Sequence, residues 1–353
     1  MKHLLKISFA LLLLSALSSS CIKSTSLTVL QPAQMTLPDH ITTVAVVDRS
    51  KPSNGWLNVL EGFVTGEAIG QDRRSREEAV RGLTDALTRT PRFAVKNTGI
   101  EMEGSKAGNN LPAPLSWTEV ERICADYGAH AVVTIESFDS DNSSSARRVE
   151  TKRKDKNGKQ YIDVSYEARQ RTGVRIGWRL YDPRTKIIID EFTTDDYLEK
   201  TASGTTERAA IGNLPSQVSV TRNVAFSVGR EYGARIAPIY VQVTRQYYGK
   251  AKGYKDEMKQ AARYLKGKDY EKAAAIWKKI EATAQDNRKA AGRAAYNMAV
   301  ASELSGNLDL ALEWAQKGWG TYGNKKARNY ISVIEMRQND ARKVESQMPK
   351  KKV

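Results

Sequence analysis

Two cysteines and three histidines in 353 residues leave little material for metal or nucleophile chemistry. His3 lies in the leader described below, so His40 and His130 alone remain, and no His/Cys pair stands at a metal-ligand spacing. The G-x-S-x-G elbow, the phosphate-binding G-x-x-x-x-G-K-[ST] loop and the H-E-x-x-H zinc helix are missing as well. The Gly-rich stretch at 62–70 lacks the strand–turn–helix setting of a phosphate loop. Residues 7–17 (ISFALLLLSAL) form the long apolar run, well short of the about 20 residues that cross a bilayer. Acidic residues are in the minority, 40 against 56 Lys and Arg, giving a formal charge of +16. The expectation is a protein with no catalytic residue, no bound metal and no cofactor.

What is present begins with the leader. Lys2, His3 and Lys6 give a basic start, the apolar run follows, and Ser18-Ser19-Ser20 leads into Cys21. This is the order of charge, apolar stretch and small residues of a secretory signal. A cysteine directly after small residues resembles the lipobox of bacterial lipoproteins, with Ser18 where leucine is usual and Leu17 one position further back. The resemblance implies that Cys21 receives a diacylglycerol and becomes the new amino-terminus, and multiple acyl chains give stable anchoring. Ile22-Lys23-Ser24 carries neither an Asp after the cysteine nor an acidic run, which by the same resemblance implies the periplasmic face of the outer membrane. A soluble secreted chain with an incidental Cys21, or an uncleaved anchor, is the alternative. With Cys21 acylated no disulfide is left, and Cys124, in the apolar register of VERICADYG, reads as a small core residue.

Excess charge is uneven. Residues 251–353 hold 22 Lys/Arg against 12 Asp/Glu. Such a field favours anionic partners, among them lipid headgroups, acidic glycans or an acidic protein; a solvated lysine-rich helix face is the plainer account. Nucleic acid is set aside for an exported chain.

Along the chain, residues 1–20 read as signal peptide and 21–40 as a polar tether with Pro32 and Pro38. Residues 42–47 (TTVAVV), 92–96 (RFAVK) and 131–135 (AVVTI) read as buried strands. Between them, Ser75-x-x-Glu78 and Ser116-x-x-Glu119 are capping-box patterns that open helices. This β-α-β-α-β order predicts a largely parallel sheet covered by helices. Two hairpins follow, turning at Asn157-Gly158 and at residues 182–185. Residues 217–248 are expected to be helix broken at Pro238. The whole of 41–248 is one α/β domain with β-hairpins, sandwich-like, with parallel and antiparallel strands.

From 249 to 345 the chain reads as an all-α tetratricopeptide-repeat-like domain, ahead of a basic tail at 346–353. Ala261, Tyr264, Tyr270, Ala273 and Trp277 fit the repeat register, and Tyr296, Ala299, Gly306-Asn307, Ala311 and Trp314 repeat it. Ala273 and Ala311 stand 38 residues apart, against the standard 34. Two units fall short of the three needed for stability alone, so the array is expected to lean on the first domain. An unrelated helical hairpin is the alternative. The fold class is therefore α+β.

The segments TTVAVVDRS, ADYGAHAVVTIESFDSD and RLYDPRTKIIIDEF, with a repeat-like helical tail, resemble an uncharacterised family of Bacteroidota lipoproteins. More distantly they are similar to the periplasmic domain of curli-secretion (CsgG-like) lipoproteins and the amino-terminal domain of TolB. The resemblance implies an architecture and no reaction. Helical repeats bind through concave faces, which makes Tyr264, Asn297, Glu303 and the lysines around 268–279 candidate protein contacts, with inter-helix packing the plainer role of each. Asp139, Asp141, Asp195 and Asp196 are possible paired carboxylates, though strand-end acids are commonly just solvated. The expected function is a membrane-anchored, non-enzymatic envelope lipoprotein acting as a protein-interaction or assembly module. The alternative is an oligomeric export or channel component, against which the charge on both faces of 146–169 argues.

Overall fold

The computed structural model describes residues 22–51, 66–104, 111–284 and 286–349. The leader, Cys21 and residues 350–353 of the basic tail lie outside them. The described chain forms two compact units, one of Pro32–Ile239 and one joining the first strand to Tyr240–Glu345. The fold is α+β, with a five-stranded mixed sheet followed by an all-helical region.

In the first unit the sheet runs β3-β2-β4-β5-β6. Strand β2 (Thr43–Lys51) is parallel to β3 (Ala94–Glu103) and to β4 (Ala131–Lys154). Strands β4, β5 (Gln160–Asp182) and β6 (Ile187–Gly204) form an antiparallel meander. Helices α1 (Gly66–Thr88) and α2 (Trp117–Tyr127) make the two crossovers, and α3 (Glu207–Gly212) and α4 (Gln217–Ile236) follow β6.

Alternation along β2 explains the layering. Val44 and Val46 pack with Leu83 and Leu87 of α1 and Val224 and Val228 of α4, while Ala45 and Val47 pack with Val120 and Ile123 of α2. A strand buried on both faces needs apolar residues at every position, which is why TTVAVV reads without a polar break. Glycines set the closeness of α1 and α4. A Cβ on Gly229 would stand 2.0 Å from the Ala79 carbonyl oxygen, and one on Gly82 2.1 Å from that of Phe226.

Several expectations are corrected here. Ser75 and Glu78 do not open a helix; they lie within α1, with Ser75 fully buried. Both hairpins do form, with turns at Asn157-Gly158 and around 183–186, sharing β5, and β4 runs 24 residues from the parallel core to the first turn. Pro38 and its neighbours are no free tether either, since Ala33, Leu37 and Ile41 are buried. Ser116, by contrast, does cap α2, accepting from the Glu119 N–H, and Gly128 ends it at φ 61°.

The second unit starts with β1 (Ile22–Gln31), which pairs with β7 (Ile239–Tyr248). Both segments were read otherwise, as tether and as helix beyond Pro238. The chain after Pro238 has lost the helical i+4 spacing and alternates with period two, its odd residues turned inward. Helices α5 (Lys255–Lys266) and α6 (Tyr270–Thr283) form one hairpin, and α7 (Arg288–Leu304) and α8 (Leu308–Gly320) a second. Helix α9 (Lys325–Gln347) closes the series. One device serves three of the turns: a left-handed residue followed by a capping side chain. These are Lys268-Asp269, Gly306-Asn307 and Gly323-Asn324, with φ of 63°, 82° and 69° at the first residue. Each capping oxygen accepts a backbone N–H of the next helix's first turn. Ala273 and Ala311, the small residues of the repeat register, are fully buried.

Candidate functional site

Three places gather chemistry-bearing side chains. The first sits where the parallel pairing of β2 with β4 ends, at the carboxyl side of the parallel strands, where open α/β sheets generally hold their ligands. Glu136 is the one charged residue of the buried run AVVTIESF and is itself fully buried. Its carboxylate accepts from Arg49 Nη1, the Tyr181 hydroxyl and Thr134 Oγ1, each at 2.7 Å. Arg179 Nη1 adds an ion pair at 3.5 Å, while its Nε donates to Glu191 at 2.6 Å. Burial works against the Arg179 charge, but Glu191 and Glu136 outweigh it and hold the guanidinium above its ordinary range. Burial and the bond to Glu136 push the Tyr181 phenol up to about 12. Arg49 and Arg179 also donate to the carbonyls of Ala113 and Pro112 at 2.7 and 2.6 Å. The cluster thus spends its donors on internal partners and fastens the 112–113 backbone over the strand ends. Beside it, Asp48 accepts from the Ser50 N–H at 2.9 Å and faces Arg76 at 3.6 Å. Nothing in the spacing of these residues announced the cluster; the one signal was a glutamate inside a core strand.

The second place is at the opposite, amino-terminal end of the parallel strands. His40, Cys124 and His130 line one recess of about 450 Å³ with Glu121, Ala129, Pro183 and Arg184. Each is already committed. His40 Nε2 lies 3.1 Å from Asp182. His130 Nδ1 accepts from the Thr42 N–H at 3.3 Å, which places that ring's proton on Nε2 in the neutral form. Burial, with Asp182 nearby, pushes the Cys124 thiol up to about 11. Reactive cysteines occupy electropositive, partly open surroundings that lower the pKa, so Cys124 stays protonated and packs as a core residue.

The third is the outer face of the meander. Asp139, Asp141, Asp195 and Asp196, distant in sequence, are brought together along one recess of about 480 Å³ with Arg171, Arg175 and Tyr197. Register does this: Asp139 pairs across from Arg175, and Arg175 from Asp195. Gly173 leaves a notch between the two arginines, since a Cβ there would meet only a carbonyl at 3.9 Å. Arg171 lies over the Tyr197 ring, 4.2 Å from its centroid. Burial, and then Asp196 and Asp195, raise the Glu231 carboxyl on α4 above its usual range. The arrangement is a ladder of alternating charge.

In the helical unit the three candidate contacts part company. Asn297, fully buried, brackets one residue of β7, accepting the Tyr248 N–H and donating to the Tyr248 carbonyl, both at 2.8 Å. Glu303, 2% exposed, takes the Arg245 guanidinium in two bonds of 2.7 and 2.8 Å and also accepts from the Tyr330 hydroxyl. Burial and Glu303 drive the Tyr330 phenol far above its ordinary value. Asn297 and Glu303 therefore spend these groups inside the unit; with the Tyr296 hydroxyl on the Gln246 carbonyl at 2.8 Å, they strap β7 along α7. The strap gives the short array support from its own strand. Tyr264 is half-buried, and Lys272 lies over its ring. Among the described residues no group of three His, Cys, Asp or Glu could hold a metal ion, and no helix is long and apolar enough to cross a membrane.

Fold and clusters together define a class: a three-layer α/β unit, with a buried charge cluster matched by internal partners, joined in sequence to a helical-hairpin unit. The family described as Domain of unknown function (DUF8603) matches residues 41–248, and the chain belongs to it. A second family, described as Domain of unknown function (DUF6340), matches residues 259–338. No curated protein matches the chain.

Proposed function

We propose that this chain is a lipid-anchored, non-enzymatic lipoprotein of the cell envelope, held at the periplasmic face of the outer membrane through Cys21 and serving as a protein-interaction or assembly module. One observation supports this reading: the described fold includes Ile22, so a chain cut at Cys21 would keep every described element, β1 among them. The non-enzymatic part draws support from the Glu136 cluster, whose buried charges are spent on internal partners. Labelling with an acyl-chain precursor tests the anchor. The wild-type protein should take up label and Cys21→Ser should not; an unlabelled wild type refutes it. Capture from envelope extracts with the lipidated protein then reads the partner.

A second reading, assembly into an export ring, draws on one feature of the ribbon. The β2–β4 ladder stops at Asp48 and Ile135, so among the described residues β4 from Ser137 onward pairs only with β5. A long open edge of this kind can take a strand from a neighbouring copy. Native mass on the chain beginning at residue 22 separates the two, giving a monomer under the first reading and a discrete ring under the second.

A further inference from the structure

The β4–β5 hairpin outruns the rest of its sheet. The last β5–β6 pair is Tyr166 with Gly204, yet β4 and β5 stay paired to Lys154 and Gln160. Six further residue steps at about 3.3 Å give a two-stranded arm of roughly 20 Å. Its turn is built rather than loose. The Asp155 carboxylate accepts from the N–H groups of Asn157 and Lys159 at 2.8 and 2.9 Å, and Gly158 takes a φ of 83°.

Apolar residues sit where such an arm should be polar. Tyr161, Ile162 and Val164 are 49%, 57% and 37% exposed. Side chains alternate across a strand, so Tyr161 lies on one face of the arm and Ile162 and Val164 on the other. Charge surrounds them unevenly. The arginines are matched, Arg147 to Glu167, Arg148 to Glu150 and Arg153 to Asp163. Lys152, Lys154, Lys156 and Lys159 have no acidic partner among the described residues, and they ring the turn.

We infer that this arm is a second membrane contact, lodging its tip in the headgroup layer of an anionic bilayer independently of any acyl anchor. A protein groove would cover one face of the arm and leave the other apolar face in water. A headgroup layer surrounds both. Interfacial elements combine apolar groups that reach the acyl boundary with lysines that meet anionic lipid, and the tip supplies both within a few residues. The arm does not span the bilayer, because both of its faces also carry charge.

The chain beginning at residue 22 retains every described element and lacks the apolar leader, so it is the protein to test. It should sediment with phosphatidylcholine–phosphatidylglycerol vesicles at least tenfold more tightly than with phosphatidylcholine alone. Replacing Tyr161, Ile162 and Val164 together by Ser should abolish that binding, as should Lys152, Lys154, Lys156 and Lys159 together to Glu. Lys278→Glu with Lys279→Glu, on the basic helix α6, should leave it unchanged. The thermal transition of each variant is recorded to show that it has folded. Three results would overturn the inference. They are equal binding to both vesicles, full binding by the Ser variant, and loss of binding through Lys278 and Lys279. Tight binding of polyglutamate without vesicle binding would overturn it too and indicate an acidic protein partner.

Discussion

Asn297→Ala removes both ends of the bracket that holds Tyr248. The Tyr248 N–H and carbonyl then lose their 2.8 Å partners at a site where Asn297 is fully buried and Tyr248 half-buried. Leaving a buried backbone group unpaired costs about 1–3 kcal/mol, and two such groups, at the lower half of that range, cost about 3 kcal/mol. That figure is roughly a 10²-fold change in an opening equilibrium. Hydrogen exchange reads it directly. Peptides covering residues 245–250 should exchange about a hundred times faster in the variant, under conditions where closing outpaces exchange. Amides of β5 in the other unit should be unaffected. Asn297→Asp should do no better than Ala, because its carboxylate can accept the N–H but sets negative charge against the Tyr248 carbonyl. An acceleration below about threefold in Asn297→Ala would show that β7 is not held by this residue.

Four further outcomes can be checked. Glu136→Ala strands Arg49 and Arg179 beneath the 112–113 backbone, and breaking a buried pair costs about 3–5 kcal/mol, which urea unfolding of the first unit should report. Gly229→Val drives a side chain into the Ala79 carbonyl, 2.0 Å from the Cβ position; overpacking typically costs about 1–3 kcal/mol, and a thermal midpoint equal to wild type would contradict the close crossing. Cys124, its thiol raised from an ordinary value of 9.0 to about 11, should resist thiol reagents at neutral pH until the protein unfolds. Because the folded value is the higher one, its contribution is whole below about pH 9 and is lost as pH rises toward 11. Stability followed across that window should fall less in Cys124→Ala. Lys268 adopts a φ of 63° without being glycine, so Lys268→Gly should relieve about 1 kcal/mol of strain and raise the denaturant midpoint of the helical unit.

Legibility followed the range of the physics involved. The buried parallel strands were readable because a strand covered on both faces must be apolar throughout, and the Ser116 and Asn157-Gly158 signals were readable because caps and turns are local. The Ser75 pattern misled for the same reason. Ser-x-x-Glu is only a cap if the chain enters the helix there, and in α1 Glu78 pairs sideways with Arg81 and Arg222 instead. Strand β1 passed for a tether because Ser and Thr fill its alternate positions, and its partner lies more than two hundred residues away. A shorter separation, 49 residues to Tyr248 and 58 to Arg245, still hid the role of Asn297 and Glu303. Two polar residues on a repeat helix suggest a groove until the strand that occupies it is known. The four aspartates were individually visible, but only strand register could place them in one recess.

The position of β1 has a mechanical side. In a chain acylated at Cys21, the anchor is followed at once by backbone already hydrogen-bonded to β7. A pull on the lipid would load the β1–β7 ladder first and pass through the Asn297 and Glu303 strap into α7. An anchor on a flexible leader absorbs drag, whereas one fixed to a strand transmits it, so the helical unit would ride on the membrane as a rigid mount and feel every displacement of the lipid that holds it.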